Sequence, residues 1–208
     1  KNCSEITEFL MNSDKLDLNN KDATDSIIKS IIKWNKFNYL EFFFNPKRFN
    51  INLCFGEELK SILHLCCSIK EFYHFIPLIL KRKDIDVNIR DSNGLSPLHE
   101  AMRSQNNDFS ICLIKDPRVD INALDNGNQT PLHYAVSNWS SVPLTDLLMN
   151  PKIDVNIIDK DGKTPLFVAC ELGVVDNVEI LLNDYRVDTE IEIDSIFLID
   201  FYLWNFIY

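Results

Sequence analysis

The chain has 208 residues, of which 46% are hydrophobic and 25% are charged, so it contains enough apolar side chains for a sizeable core. Its formal net charge of −10 at pH 7 argues against binding to a nucleic-acid backbone, which requires clustered Lys and Arg. No hydrophobic run reaches the roughly 18 residues of a membrane-spanning helix. We therefore expect neither nucleic acid nor a membrane as a partner.

The first 48 residues have the apolar pattern of a helical region. Apolar side chains recur at helical spacing over residues 27–34 and again over residues 37–44, with a break near Asn35. A shorter helix is predicted over residues 4–12. The region ends at Asn45-Pro46, because proline cannot continue a helix.

One six-residue motif then occurs three times at a constant spacing of 34 residues. It reads SPLHEA from residue 96, TPLHYA from residue 130 and TPLFVA from residue 164. The leading hydroxyl can accept a hydrogen bond from the free N–H groups of a helix start, and proline fits the first helical position. Each motif therefore predicts the beginning of a helix.

A tight turn is predicted just before each motif. Gly94, Asn128 and Gly162 stand two residues before the three hydroxyls. Glycine and asparagine are the residues that adopt a positive φ most readily. Their exchange at one position predicts a left-handed backbone there.

The repeated T-P-L-H-x-A motif at this period resembles the ankyrin-repeat family, in which a turn precedes two antiparallel helices. The resemblance implies an all-α ankyrin-repeat solenoid whose units contact only their neighbours. We divide the chain into an N-terminal helical cap, four units of which the first is degenerate, and an atypical hydrophobic tail. Their bounds are residues 1–48 for the cap, 49–84, 85–118, 119–152 and 153–188 for the first to fourth units, and 189–208 for the tail.

Three interpretations of the apolar segment 191–208 remain open. It is a hydrophobic cap of the stack, a surface continued by residues outside this sequence, or an error in the translated sequence. A cap at the end of a solenoid normally keeps a polar outer face. Ile, Phe, Tyr, Leu and Trp dominate this segment instead.

The second helix of each later unit is predicted to turn apolar side chains toward the stack, among them Phe109, Val142 and Val178. In the first unit, the helix predicted over residues 71–80 contains Pro77, which must shorten or bend it. A basic run at residues 81–83 follows and is interpreted as a solvated helix end.

Two histidines and two cysteines of the first unit are residue types that zinc prefers, namely His64, Cys66, Cys67 and His74. Their spacing fits no known zinc pattern, and packing in the core is the favoured interpretation. For His99 and His133 the family resemblance implies buried hydrogen-bond partners of the turn and the cap hydroxyl. We predict no metal and no cofactor.

The sequence contains no glycine-rich phosphate loop and no nucleophile elbow, so we do not expect an enzyme. The resemblance implies a scaffold that binds another protein through the concave face of the solenoid. The alternative is a targeting module of a larger enzyme, such as a ubiquitin-pathway protein or a kinase. The cysteines show no disulfide framework, so we expect reduced thiols in a cytoplasmic protein, and we expect a monomer.

The family resemblance also implies which residues touch the partner, because ankyrin proteins use variable positions on the turn and late in the first helix. In this sequence these positions are Arg90, Ser92, Asn93, Leu95, Arg103, Ser104, Leu124, Asn126, Gly127, Gln129, Ser137, Asn138, Ile158, Lys160, Asp161, Lys163, Glu171 and Leu172. Arg90, Leu124 and Ile158 recur at the repeat spacing and are predicted to form a basic-to-apolar stripe. The alternative is that Leu124 and Ile158 only pack on the neighbouring arm, where the arms are the extended segments predicted at residues 49–52, 85–88, 119–122 and 153–156.

Overall fold

The computed structural model describes residues 17–35, 39–40, 43, 49–138 and 140–189. Within these ranges the chain forms a stack of short helix pairs, which confirms the predicted all-α solenoid. The predicted helix over residues 4–12 and the segment 191–208 lie outside the described residues. The helices and strands of the stack are α1 Lys21–Lys33, β1 Cys54–Phe55, β2 Lys60–Ser61, α2 Ile62–Ser68, a 3-10 helix Lys70–Phe75, α3 Ile76–Leu80, α4 Pro97–Arg103, α5 Asn107–Lys115, α6 Pro131–Val136, α7 Val142–Leu148, α8 Pro165–Leu172 and α9 Val175–Leu182.

Helix α1 precedes the first unit and begins where a side chain caps it. The Asn20 side-chain oxygen accepts the N–H of Ala23 at 3.0 Å. The helix ends before Asn35, whose φ of 53° is left-handed, so the predicted break at this residue is confirmed. Ile28 and Ile31 are buried, whereas Trp34 is 56% exposed and does not contribute to the core.

The first helices of successive units form one continuous layer. Helix α4 packs against α2 on one side and α6 on the other, and α6 packs in turn against α8. The alanines Ala101, Ala135 and Ala169 are fully buried at these contacts. Because a larger side chain would overpack the contact, a small residue is required there.

The second helices form the other layer, and one prediction about them is wrong. Phe109 of α5 and Val178 of α9 are buried as expected, but Val142 is 48% exposed. Helix α7 starts at Val142, so the helical period turns Leu144 and Leu147 inward and Val142 outward.

Pro77 divides the second helix of the first unit into two parts. A 3-10 helix ends at Phe75, and α3 then starts with Pro77 in its first turn. Proline lacks the N–H of an interior helical position and clashes with the preceding turn, so it is tolerated only near a helix start. The predicted interruption is confirmed.

Asparagine side chains join the arms that link consecutive units. Asn88 donates to the carbonyl of Arg118 at 2.8 Å and accepts the N–H of Asp120 at 2.8 Å. Asn52, Asn122 and Asn156 form the same pair of bonds with residues 84 and 86, 152 and 154, and 186 and 188, respectively. Each arm is thus fixed to the next one.

Arginines contact the same arms, which corrects the interpretation of the basic run for Arg82 alone, since Lys81 and Lys83 are exposed at the helix end. The Arg82 side chain is only 8% exposed and pairs with Asp84, so it is not a solvated helix end. Arg118 donates to the carbonyl of Leu80 at 2.8 Å and pairs with Asp116. The Arg118 guanidinium also donates to the carbonyl of Arg82, so it joins the second unit to the first. No helix in the described ranges is long and apolar enough to cross a membrane.

Candidate partner-binding surface

The turns before the first helices project from the stack, and we call residues 54–60, 90–95, 124–129 and 158–163 the first to fourth fingers. In the first finger β1 pairs with β2 in an antiparallel hairpin. In the other three an aspartate organises the turn. The Asp125 Oδ1 atom accepts the N–H groups of Gly127 and Gln129, both at 2.8 Å. This arrangement fixes the finger without a longer strand.

The predicted left-handed position is present in every finger. Gly94, Asn128 and Gly162 have φ values of 75°, 60° and 77°. Leu59 holds the same place in the first finger with a φ of 51°. A leucine tolerates this backbone poorly, so the sequence alone gave no reason to expect it.

Consecutive fingers are hydrogen bonded to each other. The N–H of Ser92 donates to the carbonyl of Glu58, and the N–H of Asn126 donates to the carbonyl of Asn93, both at 2.9 Å. Lys160 donates in the same way to the carbonyl of Gly127 at 2.9 Å. The four fingers therefore form one ordered edge.

Each first helix except α8 has a histidine as its third residue, and this histidine pairs with the cap residue. In α4 the N–H of Ser96 donates to Nδ1 of His99 at 3.1 Å, and the Ser96 hydroxyl lies 2.8 Å from the same atom. Nε2 of His99 lies 3.0 Å from the carbonyl oxygen of Gln129, in the next unit. Because a carbonyl oxygen can only accept, Nε2 carries a proton. Nδ1 accepts the N–H of Ser96 and therefore carries none, so the imidazole is neutral.

The same bonds recur in the neighbouring units. Nε2 of His64 lies 2.9 Å from the carbonyl of Leu95, and Nε2 of His133 lies 3.1 Å from the carbonyl of Lys163. Burial lowers the pKa of all three histidines, in the case of His99 to about 4. The implied structural role of His99 and His133 agrees with these contacts.

The predicted stripe of Arg90, Leu124 and Ile158 lies on the surface of the fingers. Leu124 is 42% exposed and Ile158 is 50% exposed. The Arg90 guanidinium donates to the carbonyls of Gly94 and Leu124. Arg90 is thereby held beside the first apolar member of the stripe.

The other predicted contact residues divide by exposure. Besides the stripe, nine of them are exposed: Ser92, Asn93, Arg103, Asn126, Ser137, Lys160, Asp161, Glu171 and Leu172. Four are half-buried: Ser104, Gly127, Gln129 and Lys163. Two are buried: Leu95 and Asn138.

Leu95 and Asn138 are buried in the structure and do not lie on the surface. Leu95 is 7% exposed, so its apolar side chain belongs to the stack. Asn138 is 4% exposed because its side chain donates to the carbonyl of Met102 at 2.7 Å and joins two units. The predicted accessibility of these two positions is wrong.

A buried charged cluster at the base of the second finger was missed from the sequence. Glu100 has a fully buried side chain that accepts Nη2 of Arg103 at 2.7 Å, and Nζ of Lys60 lies 3.7 Å away. The pairing raises the pKa of the Arg103 guanidinium. The only sequence signal was an acidic residue at the helix position where the next unit has Tyr134.

The two histidines and two cysteines of the first unit, which are residue types that zinc prefers, are not gathered into a metal site. His64, Cys66 and Cys67 are buried, whereas His74 is exposed. Burial raises the pKa of both thiols, which keeps them protonated. No group of three or more potential metal ligands is found within the part of the chain that the structure describes.

Comparison with known proteins adds to this geometry. A search of curated proteins finds no match. A family model described as ankyrin repeats, in three copies, matches residues 63–159 and again residues 112–194. Together the two matches span more than half of the chain, and the chain belongs to the ankyrin-repeat family.

Proposed function

We propose that the chain binds a partner protein through the fingers and the exposed ends of the first helices, and that it has no catalytic activity of its own. Ankyrin repeats are general protein–protein interaction modules. The observation that supports this surface is the stripe of Arg90, Leu124 and Ile158. Exposed apolar residues in a row mark interfaces, and arginine is enriched among the residues that dominate binding energy.

The chemistry of the buried polar groups supports the absence of catalysis. The three histidines form hydrogen bonds with caps and carbonyls on both ring nitrogens. Burial also raises the pKa of the Cys170 thiol to about 11. A general base or a nucleophile requires an accessible group with a pKa suited to its task, and these groups are neither free nor reactive.

The remaining parts of the proposal concern the cellular setting. We propose a cytoplasmic location, supported by the free and buried thiols Cys66, Cys67 and Cys170, which pack as small apolar side chains in the core. We also propose that the chain is a monomer. We also propose the unit boundaries given above. Fractionation of cells and sedimentation of the purified chain check the location and the oligomeric state.

The test is to add charge to the stripe and measure capture of the partner. Affinity capture of the intact chain followed by mass spectrometry first identifies the proteins that it retains. The double variant Leu124→Asp and Ile158→Asp is expected to lose this capture, because two carboxylates would be desolvated in the contact. Its circular dichroism and melting temperature should stay close to those of the wild type, since both side chains are exposed.

A matched control exists on the second helix of the third unit. Val142 is 48% exposed and Met149 is 80% exposed, so Val142→Asp with Met149→Asp adds the same charge away from the fingers. This control should retain the partner. Capture that survives the stripe variant, or melting that collapses with it, would show that the partner binds elsewhere or that the stripe belongs to the core.

A further inference from the structure

The arginines of this chain divide their donors in a regular way. Arg118 donates from Nε and Nη2 to the two carboxylate oxygens of Asp116, at 2.9 and 2.6 Å, and from Nη1 to the carbonyl of Arg82. Arg186 does the same with the carboxylate of Asp184 and with a backbone carbonyl. In both cases the Nε and Nη2 edge of the guanidinium holds an acid and Nη1 holds the backbone.

Two further arginines present the same edge to an acid. Nε and Nη2 of Arg82 donate to the carboxylate of Asp84. Nε and Nη2 of Arg103 donate to the carboxylate of Glu100. Within the ranges that the structure describes, Arg90 is therefore the one arginine that pairs with no carboxylate.

Arg90 uses Nη1 as the other arginines do but leaves its second edge empty. Nη1 donates to the carbonyl of Gly94 at 2.7 Å and also to the carbonyl of Leu124. Nε and Nη2 have no hydrogen-bond partner among the described residues. The neighbouring Asp91 does not fill the place, because its Oδ1 accepts backbone N–H groups and its Oδ2 has no partner. The donor pair that holds an acid elsewhere in the chain is open on the exposed side chain of Arg90.

The open edge of Arg90 is held in position before any partner binds. Gly94 belongs to the second finger and Leu124 to the third, so the two carbonyls fix the guanidinium between two fingers. A free surface arginine loses rotamer freedom when it binds a ligand, and less is lost when the side chain is already fixed. The two parallel N–H groups of the open edge match the two oxygens of a carboxylate.

The surroundings of Arg90 favour an acid with apolar neighbours on one side only. Leu124 is 42% exposed beside Arg90, and Ile158 is 50% exposed on the fourth finger. On the other side the first finger exposes Glu57 and Glu58, which would repel a further acid. We propose that Arg90 binds the side-chain carboxylate of an Asp or Glu in an extended segment of the partner protein, whose apolar side chains lie on Leu124 and Ile158. This inference rests on the proposed function, because it uses the same stripe.

A carboxylate fits this position better than a phosphate group. A guanidinium binds either group with two parallel hydrogen bonds. A phosphate carries nearly two negative charges, however, and is usually bound by a cluster of arginines. Arg90 has no second arginine to help it, because the Arg103 guanidinium is held by Glu100 at 2.7 Å. The chain also carries a net charge of −10, which disfavours a doubly charged group.

The first experiment lets the intact chain select from a peptide library. The library consists of short immobilised peptides with randomised residues, phosphoserine among them, and amidated C-termini, so that side chains supply the only carboxylates. The wild-type chain should enrich peptides that have one Asp or Glu and apolar residues on one side of it. An enriched peptide is then titrated beside a copy in which the acid is replaced by its amide. The acidic peptide should bind about tenfold more tightly.

Two variants and a control make the result specific. With Arg90→Gln the acidic peptide and its amide copy should bind within about twofold of each other, because the guanidinium edge is gone. Arg90→Glu should reverse the selection and enrich Lys or Arg in place of the acid. Lys115→Gln removes one positive charge from the exposed end of α5, in the layer of second helices, and should keep the tenfold difference. Each protein is compared with itself on two peptides, so a general loss of stability does not produce this pattern.

Four outcomes would overturn the inference. They are no enrichment of acids by the wild-type chain, an acid preference that persists in Arg90→Gln, phosphoserine enriched above Asp and Glu, and a preference for acids seen only in a parallel library with free C-termini. The library does not require the partner protein. Any of these results, with capture of the partner still dependent on Leu124 and Ile158, would therefore reject the contact with Arg90 and leave the proposed function intact.

Discussion

The second and fourth units begin their first helices in nearly the same way but connect to their neighbours differently. In the second unit His99 pairs with Ser96 and reaches the carbonyl of Gln129 in the third unit. In the fourth unit Phe167 holds this position, and its N–H donates to the Thr164 hydroxyl at 3.2 Å. The fourth unit thus keeps the helix cap, but Phe167 cannot form the side-chain hydrogen bond by which His99 reaches the following unit.

This difference shows what the histidine does. The Phe167 ring is 6% exposed and lies 5.5 Å from Nζ of Lys163, so apolar packing and a cation–π contact replace the imidazole bonds. A position that accepts either ring cannot be reserved for chemistry. We interpret the histidines as links between units.

The largest expected effect comes from giving the second unit the residue of the fourth. His99→Phe leaves the Ser96 N–H without its partner and removes the bond from the imidazole to the Gln129 carbonyl, which keeps only the N–H of Asp125. We expect a loss of about 3 kcal/mol in the free energy of unfolding. Phe167→Leu changes the equivalent ring without breaking a side-chain hydrogen bond and should cost about 1 kcal/mol. Urea denaturation of both variants checks the difference, and equal losses would contradict the linking role.

Acid should weaken the units that contain histidine. The folded-state pKa of His99 is about 4, below the ordinary value of about 6.5 in an unfolded chain. The unfolded state therefore binds more protons, so the contribution of His99 is complete above pH 6.5 and is lost as the pH falls toward 4. At pH 5 this residue alone should remove about 2 kcal/mol of stability.

His64 and His133 act in the same direction, since burial lowers the pKa of both. Asp116 and Asp184 have pKa values lowered by their arginine partners, and they lose their contribution only below about pH 4. Urea midpoints at pH 7 and pH 5 measure the histidine effect. The urea midpoint of the His99→Phe variant should change less between pH 7 and pH 5 than that of the wild type. An equal change in both proteins would show that His99 is not the group that titrates.

The smallest expected effect concerns two finger glycines, Gly94, which has a close neighbour in the next finger, and Gly162, which has none within 4 Å of an added Cβ atom. A Cβ atom at Gly94 would lie 2.5 Å from Oδ1 of Asn126, whereas a Cβ at Gly162 would meet nothing within 4 Å. Gly162→Ala should cost about 1 kcal/mol for its left-handed backbone, and Gly94→Ala about 1 kcal/mol more for separating two fingers. Thermal melting measures both, with Asn128→Gly as a control expected to lie within about 0.5 kcal/mol of wild type.

Equal losses for Gly94→Ala and Gly162→Ala would show that the contact between the second and third fingers is not tight in solution. A near-zero loss for both would mean that these positions do not require a positive φ. Either result would change the description of the fingers without affecting the helix pairs.

Much of the fold could be predicted because the repeat carries its own local chemistry. The Ser-Pro or Thr-Pro pair begins a helix, Gly94 and Gly162 allow a left-handed turn, and Ala101 allows close packing. These features depend on residues close in sequence, and the constant spacing of 34 residues aligns them. The family and the order of the units followed from this pattern.

The surface could be predicted only in part, because exposure depends on neighbouring units. Leu95 and Asn138 stand at positions where the resemblance implied contact, but an apolar side chain and an inter-unit hydrogen bond bury them. The prediction that Val142 faces the stack was wrong for a related reason, because the start of α7 determines which of its residues face inward. The periodicity in this short helix did not fix its phase.

The sequence by itself determined the repeating unit, the helix starts and the left-handed turns, since each arises from a few adjacent residues. Only the tertiary structure decided that Glu100 is fully buried and pairs with Arg103, and that Asp91 keeps a buried oxygen without a hydrogen-bond partner. Lys60, whose Nζ lies 3.7 Å from Glu100, belongs to the preceding unit. Stacking brings these side chains together, because burial and pairing of charges are properties of the assembled units.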